Sequence, residues 1–177
     1  MAKVNKEWEN KVMNDLFSKD DDQVRKAIAA LQENPHVHFI MPLISVFIHA
    51  KEGELKNELR DILNTVKVPG FEEELMKALR NTEWKAQYGQ IMAFMWNSGG
   101  NPKEHVKELI SIGIEGGMET ILECYSVIEV MDGPLSEEQL IESQTFLHEQ
   151  FKQMPEGHPK QIVAMISNLL AEKEIED

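Results

Sequence analysis

The histidines are the side chains of this sequence best suited to binding a metal ion. The chain has six of them, and only His36 and His38 stand close together. A zinc site needs three or four converging ligands, usually at local spacings such as His-x3-His on one helix face. No cysteine or second histidine follows His36-x-His38 at such a spacing. The sequence therefore predicts loop and surface histidines, with no metal site and no cofactor.

The single cysteine, Cys124, is the one candidate for nucleophilic chemistry. A reactive thiol needs a nearby base or cation that lowers its pKa. Cys124 lies in a predicted helix beside Glu123, whose negative charge would raise the thiol pKa instead of lowering it.

The glycine pairs Gly99-Gly100 and Gly116-Gly117 lack the Lys-Ser/Thr of a phosphate-binding loop, and they are typical of turns that end helices. The sequence therefore predicts no catalytic residue, and we expect the chain not to be an enzyme.

Apolar side chains recur at helical spacing along most of the chain. Leu55, Leu59, Ile62, Leu63 and Val66 form one stripe, and Trp84, Tyr88, Ile91, Met92 and Met95 form a second with the same spacing. Such stripes indicate amphipathic helices with one buried face. Together with the Gly and Pro turn signals between them, the stripes predict ten helices and no strand of useful length. The predicted ranges are 4–18, 21–33, 38–50, 54–67, 71–81, 83–97, 103–115, 118–131, 136–153 and 159–173.

Two helix starts carry capping signals. Ser136 followed by Gln139 is a capping-box pattern, and Asp20 to Asp22 place negative charge at a helix N-terminus. The short loops predict antiparallel neighbours: 21–33 with 38–50, 54–67 with 71–81, 83–97 with 103–115, and 118–131 with 136–153. The first and last helices are then expected to cap the array, because an uncapped stack exposes apolar faces.

An apolar anchor followed by a basic residue occurs three times, at Val24-Arg25, Leu55-Lys56 and Trp84-Lys85. The intervals are 31 and 29 residues, which is typical of a helical repeat. Val24 to Leu31 resembles the first helix of a HEAT-like repeat, and Met41-Pro42-Leu43-Ile44 resembles the start of its second helix. The resemblance covers roughly residues 20–153.

The resemblance implies an all-α fold: a right-handed α-α superhelix, or α-solenoid, of about four HEAT-like helix pairs. The second helices of such a superhelix line its concave, binding face. The implied organisation is one helical-repeat domain over 1–177. It would have a capping helix in 1–19, four helix pairs in 20–153, a capping helix in 154–173 and an acidic tail at 174–177.

The negative charge is concentrated toward the C-terminus. Residues 1–114 hold 15 basic and 17 acidic residues, whereas residues 115–177 hold 3 and 14. Such a surface repels phosphate groups, so neither nucleic acid nor an anionic membrane is expected as a partner.

No apolar run approaches the roughly 20 residues that span a bilayer. With no signal-peptide pattern and one cysteine, the sequence predicts a cytoplasmic protein.

These features predict a non-catalytic scaffold that binds a basic or amphipathic protein or peptide through its concave face. The candidate partner-binding residues are acidic side chains on the predicted second helices: Glu104, Glu108, Glu137, Glu138 and Glu142. One alternative is a helical-repeat enzyme resembling the bilin lyases or the helical-repeat DNA glycosylases, although the acidic C-terminal part disfavours a DNA substrate. Another is a purely structural or oligomerisation module.

Overall fold

The computed structural model describes residues 6–175, and these form an all-helical protein. In this range no helix has the length and apolar character needed to cross a membrane. Among residues 6–175, three short 3₁₀ helices accompany the α-helices, at Val37–Phe39, Thr82–Gln87 and Lys103–His105. The α-helices are α1 (Lys6–Leu16), α2 (Asp21–Glu33), α3 (Ile40–His49), α4 (Glu54–Thr65), α5 (Phe71–Leu79), α6 (Tyr88–Asn97), α7 (Val106–Gly116), α8 (Met118–Val130), α9 (Glu137–Gln153) and α10 (His158–Ala171).

The predicted helices are confirmed, and their main deviations are at the N-terminal ends. The predicted helices 38–50, 83–97 and 103–115 each begin with a 3₁₀ helix, so Trp84 lies before α6 rather than within it. A 3₁₀ turn at the start of an α-helix is common, and the periodicity of apolar residues does not distinguish it from a first α-turn. Residues 4 and 5 of the predicted first helix lie outside the described residues.

Both predicted caps are present. The Asp20 carboxylate accepts a hydrogen bond from the Asp22 backbone N–H at 3.0 Å, which caps α2. At α9 the Gln139 backbone N–H donates to Ser136 Oγ at 3.2 Å, and the Ser136 N–H donates to Gln139 Oε1 at 2.9 Å. The reciprocal pair satisfies two backbone donors that a helix start would otherwise leave without partners.

The helices fall into two compact units, Met1–Ala78 (unit 1) and Leu79–Asp177 (unit 2). In unit 1, α1 packs on α2 and α3, and α4 packs on α2 and α3. Of the predicted stripe Leu55, Leu59, Ile62, Leu63 and Val66, the three central residues are at most 1% exposed and Val66 is also buried, whereas Leu55 is only half-buried.

In unit 2, α8 is the central helix. It packs on α6, α7 and α10 more extensively than on α9, the helix predicted to pair with it. Contacts also join α7 to α9 and α9 to α10. Of the second predicted stripe, Tyr88, Ile91, Met92 and Met95 are buried, whereas Trp84 is only partly buried.

The end of the chain is partly fixed. Within the predicted tail, the Glu174 carbonyl accepts a hydrogen bond from the Leu135 N–H at 3.0 Å, and Ile175 forms an isolated parallel β-bridge with Leu135. Glu176 and Asp177, the last two residues of the predicted tail, lie outside the described residues.

Two glycines bring α7 and α8 close together. Gly117 is the single residue between them and has a φ of +89°, in the left-handed region that favours glycine. Gly113 lies where α7 meets α8, and a Cβ there would stand 2.9 Å from Cys124 Cβ and 3.1 Å from Ile121 Cδ1. A side chain at 113 would therefore push the two helices apart.

Gly113→Ala should lower the free energy of unfolding by about 1–3 kcal/mol, because the added methyl group overpacks the α7–α8 contact. Urea denaturation measures the change. Gly89→Ala is the matched control, since its Cβ would meet mainly the exposed, movable side chain of Glu119, with Cγ at 3.0 Å. The control should be neutral or slightly stabilising, because Ala favours helix over Gly. Equal losses in both variants would contradict a close-packing role for Gly113.

Candidate functional site

Three of the five predicted partner-binding residues lie around one cavity in unit 2. Glu104 belongs to the 3₁₀ helix Lys103–His105, Glu108 lies one turn later in α7, and Glu142 lies in α9. The cavity has a volume of about 210 Å³ and is lined by Glu104, His105, Val106, Lys107, Glu108, Gln139, Glu142 and Ser143. We call the set Glu104, Glu108, Glu137, Glu138 and Glu142 the acidic surface.

Glu108 is held by the strongest ion pair of this surface. Arg80 donates from Nε to Glu108 Oε1 and from Nη2 to Oε2, both at 2.7 Å. These hydrogen bonds, with the charge of Arg80, hold the pKa of Glu108 below its ordinary value. His105 Nδ1 lies 3.6 Å from the same carboxylate. The contact between Arg80 and Glu108 has the bidentate geometry by which a guanidinium binds a carboxylate.

The other two carboxylates at the cavity also hold nitrogen donors. Lys107 Nζ lies 3.1 Å from Glu142 Oε2, and both side chains are about half exposed, at 52%. Gln139 Nε2 donates to Glu104 Oε2 at 3.1 Å and to the Lys103 carbonyl at 3.3 Å. Gln139 therefore caps α9 with its oxygen and positions Glu104 with its nitrogen.

Glu137 and Glu138 occupy the first turn of α9, where the helix dipole favours negative charge. Both are exposed, and neither forms an ion pair within residues 6–175. They do not line the cavity. The two carboxylates nevertheless lie on the helix that supplies Glu142, and they are open to a cation from outside.

Ser143 adds a buried polar group to the cavity lining. It is fully buried, and its Oγ has no hydrogen-bond partner in the part of the chain that the structure describes. A buried hydroxyl without a partner costs about 1–3 kcal/mol.

A second cluster of polar side chains lies in unit 1. Glu9 of α1, His36 and His38 each offer one ligand atom, and these atoms lie within 4.8 Å of one another. His38 Nε2 is 3.1 Å from Glu9 Oε1, and the two imidazole centroids are 3.9 Å apart. His36 Nδ1 is buried and has no hydrogen-bond partner among residues 6–175, which costs about 1–3 kcal/mol.

Unit 1 also contains a cleft of about 890 Å³ at the ends of α1 and α3 and the starts of α2 and α4. Its lining carries charges of both signs, including Lys19, Asp21 and Glu52. Arg25, the basic residue of the first repeat-like run, also lines it, and its Nε donates to Glu58 of α4 at 2.9 Å. That bond assigns Arg25 a structural role in joining α2 to α4.

The thiol of Cys124 is buried in unit 2 and suited to packing. It is 0% exposed, and desolvation raises its pKa to about 12. A thiol in this state is not a nucleophile at neutral pH.

Comparison of the chain with known protein families, curated proteins and solved structures finds no match.

Sequence reasoning missed the residues that hold the predicted carboxylates. The ion pair between Lys107 and Glu142 joins residues 35 positions apart, and no local pattern marks it. Gln139 could be found as a cap, but its contact with Glu104 depends on how the 3₁₀ helix Lys103–His105 lies against α9. Glu9 was likewise not predicted beside His38, because the contact depends on the packing of α1.

Proposed function

We propose that this chain is a non-catalytic binding module whose acidic surface docks a basic segment of another protein. The observation that carries the proposal is the convergence of Glu104, Glu108 and Glu142, from two separate segments, on one cavity. Glu137 and Glu138 extend the same negative charge along α9. A basic side chain could enter this surface without meeting a large apolar barrier.

Internal contacts support recognition of cationic side chains by this surface. Arg80 binds Glu108 through a bidentate contact, and Lys107 binds Glu142 through one ammonium contact. Arginines and lysines of a partner would make the same contacts. Lys107 and Glu142 are both about half exposed, and an ion pair of this kind contributes only about 0–1 kcal/mol, so exchange of Lys107 for an external cation costs little.

The proposed module is a HEAT-like α-solenoid whose second helices carry the binding face. Contacts between next-but-one helices support stacking within each unit. In unit 1, α1 contacts α3 and α2 contacts α4; in unit 2, α6 contacts α8, α7 contacts α9 and α8 contacts α10. Repeated next-but-one contacts are typical of helical repeats, in which each pair touches its neighbours. The right-handed superhelix and its terminal caps remain part of this proposal.

Reversing Glu137, Glu138 and Glu142 to Lys together should weaken binding of a lysine-rich amphipathic peptide at least tenfold at low salt. The wild-type association rate should fall steeply as salt increases, because the attraction is electrostatic. Stability should fall by only about 1–2 kcal/mol, because the reversals remove favourable charge from the first turn of α9 while the exposed ion pair of Glu142 contributes little. Stopped-flow fluorescence with a labelled peptide measures the rate, and circular dichroism checks the fold.

The matched control reverses Asp21, Glu33 and Asp61, three exposed acidic residues of unit 1, by the same total charge. It should retain most of the binding. Lys107→Gln should tighten binding, because it removes the internal competitor for Glu142. If the control variant loses as much affinity as the triple reversal, the peptide is attracted by the net charge of the protein and not by the acidic surface.

A further inference from the structure

We propose that Glu9, His36 and His38 form a divalent transition-metal site that takes Zn²⁺ and ties α1 to the segment between α2 and α3. This assignment departs from the sequence-based expectation of no metal site. It lies in unit 1 and is independent of the acidic surface in unit 2.

The ligand geometry is close to that of a zinc site. Zinc bonds of about 2.0–2.2 Å to nitrogen and oxygen place tetrahedral ligand atoms about 3.3 Å apart. His38 Nε2 and Glu9 Oε1 already stand 3.1 Å apart, and all three ligand atoms lie within 4.8 Å. Movement of a ligand atom by about 1.5 Å, within reach of side-chain rotation, completes the coordination distances.

His36 distinguishes this cluster from an ordinary surface ion pair. Without His36, Glu9 and His38 would form a partly exposed ion pair of an ordinary kind, with side-chain exposures of 31% and 49%. His36 Nδ1, by contrast, is buried beside His38 and has no hydrogen-bond partner within residues 6–175. An unpartnered buried nitrogen on an imidazole that lies against a second imidazole is the kind of polar group that a bound ion satisfies.

The backbone around the two histidines is fixed by packing on both sides. Phe39 is 1% exposed, and its ring meets that of Trp8 edge-on with centroids 5.8 Å apart. Val37 packs against Gly70, where a Cβ would stand 3.3 Å from Val37 Cγ2. Trp8 precedes Glu9 and Phe39 follows His38 in the sequence. The contact between the two aromatic rings therefore fixes the positions of Glu9 and His38 relative to each other.

The donor set selects the class of metal. Two imidazoles and one carboxylate form the His₂Glu set of open zinc sites, whose fourth position is left for water. Calcium and magnesium prefer sites built from oxygen ligands alone. His38 is exposed, so an ion can enter and leave from solvent. The expected occupant is therefore an exchangeable Zn²⁺, bound by three protein ligands.

The test is calorimetric titration of the chelator-treated, tag-free chain with Zn²⁺. Wild type should bind one ion per chain. His38→Gln, Glu9→Gln and His36→Gln should each lower the affinity at least tenfold. His148→Gln, which changes an exposed histidine of α9, should bind like wild type, as should the triple reversal of the acidic surface. His38→Gln is the primary variant, because glutamine can still donate a hydrogen bond to Glu9 and the position is exposed.

Thermal denaturation provides a second readout. Zn²⁺ should raise the melting temperature of wild type in proportion to the logarithm of its concentration, since it binds the folded chain. The same additions should raise the melting temperature of His38→Gln clearly less than that of wild type. Absence of saturable binding by wild type, or affinity that survives substitution of all three ligands, would overturn the assignment. Such a result would leave Glu9 and His38 as a plain ion pair.

Discussion

Ile166→Asp should lower the free energy of unfolding by more than about 4 kcal/mol, enough to unfold much of unit 2. Ile166 is 0% exposed in α10, which packs against α8 and α9. A carboxylate placed there must either remain charged among apolar side chains or take up a proton, and both states cost free energy. Urea denaturation followed by circular dichroism measures the loss.

Met165→Asp is the matched control, because Met165 is the adjacent residue and is 47% exposed. It should change stability by less than about 0.5 kcal/mol. Deletion of residues 159–177 should reproduce the effect of Ile166→Asp, since it removes Ile162, Val163, Ile166 and Leu170, all of which are buried. Unchanged melting after the deletion would show that α10 does not cover the core of unit 2.

Leu63→Ala should cost about 2–5 kcal/mol, the range for truncation of a fully buried leucine. Leu63 is 0% exposed in α4, which packs against α2 and α3. The truncation removes three carbon atoms and leaves a cavity that these helices can close only in part. The loss is measured by denaturant titration.

Leu55→Ala makes the same chemical change two turns earlier in α4, at a half-buried position beside the large cleft. The loss there should be clearly smaller, because solvent already reaches part of the side chain. Equal losses at the two positions would indicate that Leu63 is not the more deeply packed residue.

The fold was largely predictable at the level of single helices. The range 21–33 coincides with α2, because Asp20 to Asp22 mark its start and apolar positions at 24, 28 and 31 mark its buried face. Periodicity also identified Leu59, Ile62 and Leu63 as buried. The extensive contacts of α8 with α6, α7 and α10 could not be predicted in the same way. The α7–α8 contact depends on Gly113, and the importance of this glycine becomes visible only when Cys124 of α8 is seen to pack against it.

The candidate sites were less predictable than the helices. Glu104 and Glu108 are four residues apart, so the sequence alone places them on one side of a helical segment. Their approach to Glu142 requires α7 to lie beside α9, which no local pattern specifies. The same limit applies to His36 and His38. Their spacing is visible in the sequence, but the third ligand, Glu9, is 27 residues earlier and is brought near only by α1.

Because Cys124 is buried, the rate at which a thiol reagent labels it measures how often unit 2 is open. A disulfide reagent reacts with the thiolate, and this side chain is enclosed by α7 and α8 with its pKa raised to about 12. Labelling must therefore wait for the helices to separate. When opening and closing are fast relative to the chemical step, the labelling rate follows the population of the open form. The labelling rate of Cys124 thus reports the opening free energy of one unit under native conditions, without an engineered cysteine.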